Sequence, residues 1–171
     1  ILSISSCSSI AFWQSDEVDP DEPRELIDFN ERFEFTENWD IKFKGENTLN
    51  NFIPAFSGTS LFFVDQEGNV FNMDIKSGEV LWETELETII SAGIVAGFGK
   101  LFLSDDQGNL ISLDQEDGSI LWKSFAGGEV LANVDVDAGL VIVKTGSGFL
   151  NAFNIETGFE EWSYRSVAPN L

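Results

Sequence analysis

Three stretches decide how this chain folds: "DIKSGEVLW" at residues 74–82, "DQEDGSILW" at 114–122 and "NIETGFEEW" at 154–162. Each opens on a short polar residue, reaches a glycine four places on and a tryptophan four places after that, and the phrases start 40 residues apart. Asp74, Asp114 and Asn154 suit the first position of a turn, because a short side-chain acceptor can bond the backbone N–H two residues on. Gly78, Gly118 and Gly158 supply the left-handed conformation that a Cβ resists. The phrase is a hairpin turn leading into a strand with Trp82, Trp122 or Trp162 at a fixed place.

The same 40-residue interval separates Gly68, Gly108 and Gly148, and again Leu61, Leu101 and Val141. Five columns in register make the period a property of the whole segment, which is the signature of a repeat architecture. Within a repeat the apolar runs are short or alternating and are broken every eight to ten residues by Gly with Asp, Asn or Ser, so they read as strands. "NFIPAF", "LFFV", "NVFNM" and "EVLWETEL" are four strands of the first repeat. "IISAGIVA", "KLFLS", "NLISL" and "SILWKSF" follow in the second, and "EVLANVDV", "LVIVK", "FLNAF" and "EEWSY" in the third. Four short strands per 40 residues predict an all-β fold of propeller blades, about 50–87, 89–126 and 129–166. Each tryptophan is expected to lie flat on the turn of the next blade, where truncation to Ala would cost roughly 3–5 kcal/mol. WD40 and kelch units fit poorly, because no Gly-His or Trp-Asp pair ends the repeats and no Gly-Gly column runs through them.

Composition narrows the function. The 171 residues carry 30 acids against nine bases, a formal charge of −21, with 43% apolar residues. Such a balance repels nucleic acid and anionic headgroups, so neither is expected as a direct partner. The chain has no histidine, which removes Ser-His-Asp and Cys-His catalysis and His-ligated zinc or haem. No apolar run reaches the ~18 residues of a spanning helix. In "SDDQGNL" Asp105 and Asp106 lack the later acid of an EF-hand and read as turn residues, so no metal site is expected. "KTGSGF" lacks the Lys-Ser/Thr of a phosphate cradle.

Upstream, "ILSISSCSSI" places Cys7 after a small-residue, apolar lead-in, a pattern similar to the end of a bacterial lipoprotein signal. The resemblance implies that residues 1–6 are removed and that Cys7 is acylated; several acyl chains, at about 0.8 kcal/mol per buried CH₂, hold a protein on a bilayer durably. Ser8 in place of Asp after the cysteine implies transfer to the outer membrane. From Ser15 to Asn38 come ten acids, two arginines, Pro20 and Pro23 without sustained apolar period, so residues 7–38 are expected to be anchor and solvated tether.

The pattern [D/N]-x-x-[S/T/D]-G-x-x-x-W resembles the tryptophan-docking repeats of PQQ-type eight-bladed propellers. With Cys7, the acidic tether and "NWDIKF" around Trp39, the chain resembles in particular the BamB family of outer-membrane assembly lipoproteins. The resemblance implies a partial β-propeller over 39–171: three four-stranded blades plus an early strand, 39–44, that completes the last blade of an eight-bladed ring. Three blades fall short of the eight of such a ring, so a piece of a longer protein with open sheet edges is expected. It further implies a non-catalytic scaffold on the periplasmic side of the outer membrane, touching the membrane only through its lipid. The implied partners are the POTRA region of BamA and unfolded outer-membrane protein clients, and no cofactor is implied. The family's contact loop begins at "SYRSVAPNL", which places Leu171 as a contact residue supported by Pro169 and Asn170. A quinoprotein dehydrogenase, whose propeller holds PQQ and Ca²⁺, and a propeller sensor domain are the alternatives.

Overall fold

Side chains in a strand alternate between two faces, and "KLFLSD" and "NLISLD" are apolar on both, which suits strands sandwiched between neighbours. The computed structural model describes residues 33–42 and 52–165, which form twelve strands. β1 (Ala55–Ser57), β2 (Ser60–Val64), β3 (Asn69–Asp74) and β4 (Val80–Glu85) make the first sheet. β5 (Ile90–Gly97), β6 (Lys100–Asp105), β7 (Asn109–Asp114) and β8 (Ile120–Phe125) make the second. β9 (Asp135–Asp137), β10 (Leu140–Lys144), β11 (Phe149–Asn154) and β12 (Glu160–Arg165) make the third. Each sheet is an antiparallel meander of four strands in chain order, and together they are three blades of a partial β-propeller.

Register is repeated with the fold. Phe62 lies opposite Asn72 and Asn72 opposite Trp82. Phe102, Ser112 and Trp122 line up in the same way, as do Ile142, Ala152 and Trp162. A one-residue slip would turn every tryptophan to the wrong face, so this register is what the 40-residue period encodes.

No sheet has a core of its own; the cores are the two seams. In the first, Phe62, Val64 and Val70 meet Ile90, Leu101, Leu103, Ile111 and Leu113. In the second, Phe102 and Leu110 meet Val141, Val143 and Phe153. The middle sheet therefore contributes one face to each seam. At about 1.5–3 kcal/mol per fully buried large apolar side chain, the seams outweigh anything a lone four-stranded sheet could gain.

The innermost strands depart from expectation. The strand expected at "NFIPAF" is reduced to Ala55–Ser57, with Pro54 just before it withholding an N–H from the ladder. The strand expected at 129–136 begins only at Asp135: Val130 makes an isolated bridge to Thr145, and Leu131, Ala132 and Asn133 are exposed. β5 spans the same place in its repeat only by shifting register twice, at Ile90/Ala92 and Ala92/Val95. Gly93 lies within this irregular stretch of β5, and a Cβ there would stand 3.2 Å from both Phe52 and Asn133, tighter than ordinary contact. Of the early strand expected over 39–44, residues 39–42 carry no strand in this chain and 43–44 lie outside the described residues; the last blade in which it is expected to pair is not among them.

The chain divides into two units, 1–36 and 37–171. Within the first, the described residues Phe33–Thr36 are exposed and carry no strand. The expected signal remnant 1–6 and nearly all of the tether lie outside the described residues.

Hairpins between second and third strands of the blades are pinned by an internal acceptor. Asp65 accepts the Asn69 N–H at 2.8 Å and its Nδ2–H at 2.7 Å. Asp105 accepts the Asn109 N–H at 2.8 Å, and Thr145 Oγ1 accepts the Phe149 N–H at 3.2 Å. Asp105 is fully buried, and the half-exposed Lys123 reaches it at 2.8 Å. Burial disfavours its charge, yet the Lys123 ammonium and the Asn109 donors outweigh that and hold the carboxyl below its ordinary value of 3.8. A carboxyl depressed in the folded state contributes stability that is complete above its unfolded value and is lost as pH falls through the folded one. Asp105→Ala is expected to cost about 2–3 kcal/mol in urea unfolding at pH 7, the loss of hydrogen bonds to a charged group. The deficit relative to wild type should shrink in unfolding series taken below pH 3.8.

Candidate functional site

The element repeated most faithfully is an indole seated on a glycine. Trp82 of β4 donates its Nε1–H to the Gln115 carbonyl at 3.1 Å, and Trp122 of β8 donates to the Ile155 carbonyl at 3.1 Å. Both acceptors lie in the turn of the following blade. Beneath each indole a glycine is obligatory for two reasons. Gly118 and Gly158 have φ of 73° and 70°. A Cβ on either would also stand within 2.7 Å of an indole carbon. From below, Phe62 packs on Trp82 and Phe102 on Trp122 at centroid distances of 6.0 and 5.9 Å, tilted by 40° and 44°. Ser124 Oγ adds a 2.6 Å bond to the Gly158 carbonyl, tying strand to turn again.

The turns under the indoles are stiffened by their first residue. Asp74 Oδ1 accepts the N–H groups of Lys76 and Ser77 at 2.9 and 2.8 Å. Asp114 accepts from Glu116 at 2.7 Å and Asn154 from Glu156 at 3.0 Å. The Ser77 N–H and hydroxyl and the Lys76 N–H hold the Asp74 carboxyl below its ordinary range, and the Ser119 hydroxyl and N–H do the same for Asp117. Carboxylates engaged in turns in this way are stabilised as anions and are poorly suited to proton transfer.

Each expected docking residue has a distinct place. Trp82 sits on Gly118 and Trp122 on Gly158. Gly78 receives Trp39, whose Nε1–H donates to the Ile75 carbonyl at 3.0 Å. The repeat interval does not reveal that role, because Trp39 stands 43 residues before Trp82 rather than 40. Trp162 holds the equivalent place on β12 and is 42% exposed, and the turn on which it is expected to dock does not fall among the described residues. At the end of β12, Arg165 stacks its guanidinium over Phe149 at 5.2 Å; residues 163–165, at which the expected contact loop begins, still belong to this strand. Cys7, Pro169, Asn170 and Leu171 lie outside the described residues.

Among the described residues no three His, Cys, Asp or Glu side chains are grouped to hold a metal.

Blades tied by an indole on the neighbour's turn define the chain as a tryptophan-docked, PQQ-type β-propeller. The model of the family described as outer membrane protein assembly factor BamB matches residues 66–171. The chain belongs to that family. It is 48% identical over 122 residues to the BamB of Vibrio cholerae, covering 69% of this chain and 32% of that one. It is 32% identical over 158 residues to the BamB of Nitrosomonas eutropha, covering 92% of this chain and 38% of that one. The chain thus spans about two-fifths or less of these relatives. Among solved structures, BamB from Moraxella catarrhalis matches with a TM-score of 0.63 at 23% identity, over 67% of this chain and 35% of that one. A quinohemoprotein alcohol dehydrogenase from Pseudomonas putida matches with a TM-score of 0.61 at 17% identity, over 67% of this chain and 20% of that one. Likeness at these identities is one of fold alone.

Two glycines separate the contributions of the seat. Gly99 shares the φ of 73° found at Gly118 but has open space around its missing Cβ. Gly99→Ala is expected to cost only the left-handed strain, about 1–2 kcal/mol. Gly118→Ala should cost a further ~1–3 kcal/mol as the Trp82 indole is pushed from its seat. Chemical denaturation of the two variants beside wild type checks this; equal costs would mean that the indole contact carries no energy. In the same assay Trp82→Ala should cost about 3 kcal/mol or more.

Proposed function

We propose that this chain is part of a non-catalytic scaffold lipoprotein of the outer-membrane β-barrel assembly machinery, acting beside BamA to assist insertion of barrel proteins. The observation that carries the reading is membership of the BamB family over residues 66–171, in a segment whose most conserved internal geometry is packing rather than chemistry. Two seams closed by indoles make consecutive blades a rigid body, and a rigid body can offer a broad, preorganised face to a partner at low entropic cost. The carboxylates nearest the repeated turns are committed to backbone N–H groups and hold structure.

In this reading Cys7 carries the lipid that holds the protein on the periplasmic side of the outer membrane, and the acidic tether of residues 7–38 sets its reach. The loop following β12, with Pro169, Asn170 and Leu171, contacts the POTRA region of BamA. The net charge of −21 keeps the body off anionic headgroups, so the lipid alone brings it to the membrane. Outer strands with free edges, such as β12, can add a strand surface for unfolded clients.

The test is affinity capture of the tagged full-length gene product from detergent-solubilised membranes. BamA is expected in the eluate, reduced at least several-fold by Leu171→Asp, and released label should show acyl chains on Cys7 that Cys7→Ser lacks. A full-length protein that captures no BamA and instead binds PQQ and oxidises alcohols would replace this reading with the dehydrogenase one.

A further inference from the structure

The middle docking turn differs from the other two at the residue before its glycine. Ser77 precedes Gly78 and Thr157 precedes Gly158, but Asp117 precedes Gly118. Asp117–Gly118 is the one Asp-Gly pair in the chain, and no Asn-Gly pair occurs. An aspartyl carboxyl followed by glycine can cyclise on its own main chain, because no Cβ on the next residue hinders attack by that residue's amide nitrogen. The chemistry is a dehydration and then a hydrolysis. The Gly118 nitrogen bonds Asp117 Cγ, its proton and the carboxyl hydroxyl leave together as water, and a five-membered imide forms. Water then adds to either imide carbonyl and breaks its C–N bond. Opening at Cγ restores aspartate; opening at the main-chain carbonyl leaves the chain running through Cβ and Cγ, as isoaspartate.

The fold presents this pair and also restrains it. Asp117 is exposed, and its Oδ1 accepts the Ser119 N–H at 2.9 Å, so the carboxyl is folded over the peptide whose nitrogen would attack it. Two sets of bonds oppose the attack. Gly118 donates its N–H to the Asp114 carbonyl at 3.0 Å, which ties up the proton that the nitrogen must lose. The Ser119 hydroxyl and N–H stabilise Asp117 as the anion, whereas the acid form is the one that can release water. The indole of the preceding blade holds the turn in this state. Trp82 lies on Gly118, where a Cβ would stand 2.7 Å from its ring, and its Nε1–H reaches the Gln115 carbonyl at 3.1 Å. Freeing the Gly118 amide therefore means lifting the turn from the ring.

We propose that Asp117 is a site of isoaspartate formation gated by the seat of Trp82, closed while the indole lies on Gly118 and reactive when the first seam opens. The lesion reinforces itself. Isoaspartate adds one carbon to the main chain immediately before the glycine floor, so the turn no longer matches the ring that guarded it. The equivalent turns, with Ser77 and Thr157 at this position, have no carboxyl to react. The middle blade alone thus carries a chemical record of how often its docking contact is broken.

The experiment ages the full-length gene product in warm, mildly acidic buffer and follows isoaspartate at residue 117 by peptide mapping, beside a synthetic peptide of residues 112–122. Local opening sets the rate in the fold, so the wild type is expected to react at least ~10-fold more slowly than the peptide. Trp82→Phe keeps a ring but loses the bond to Gln115, and Trp82→Ala removes the seat. They should raise the rate in that order, Trp82→Ala by about ten-fold. Trp122→Ala opens the other seam and leaves this turn covered, so it should change the rate at residue 117 by less than about two-fold. Trp82→Phe carries the comparison if the alanine variant does not fold. Wild type reacting as fast as the peptide, Trp82 variants reacting no faster than wild type, or Trp122→Ala accelerating residue 117 as much as they do would overturn the proposal.

Discussion

An indole lying flat on a glycine turn is the constraint on which this structure depends. The ring needs a floor without a Cβ, the turn needs a residue at positive φ, and glycine alone meets both demands at Gly118 and Gly158. The indole N–H then finds the carbonyl three residues before that glycine, so a large apolar ring is buried with its one polar atom satisfied. Everything else in the repeat positions this contact: Asp74, Asp114 and Asn154 stiffen the turn, Phe62 and Phe102 support the ring, and strand register aims it.

That contact explains why stability lies between sheets. Each blade presents one face forward and one back, and only the middle blade has both covered within the described residues. The forward face of the third blade carries Trp162 at the equivalent position, 42% exposed among the described residues. Docked neighbours are tied both by apolar seams and by indole hydrogen bonds to the next turn.

Around this fixed contact the polar residues vary from blade to blade. The hairpin acceptor is Asp65, Asp105 and then Thr145. The residue across the sheet is Glu83, Lys123 and then Ser163, and in the third blade Ser163 bonds Asn151, which reaches the Ala126 carbonyl of the preceding connector. These substitutions preserve hydrogen bonding while changing what the blade's rear face accepts. The seam is conserved in packing and individual in charge.

By itself the sequence determined the repeat, the strand pairs and the tryptophan seat, because each rests on a short-range pattern recurring at 40 residues: a turn residue, a glycine, an aromatic. It could not determine what depends on convergence of distant segments. The innermost strands break or bulge where Phe52 and Asn133 approach Gly93 from the flanking repeats, an approach with no local signature. Trp39 takes Gly78 from outside the period, and Asp105 is fully buried against a lysine 18 residues away. Spacing along the chain records which residues share a strand face; only the packed blades decide which of those faces meet, and what charge each must bring.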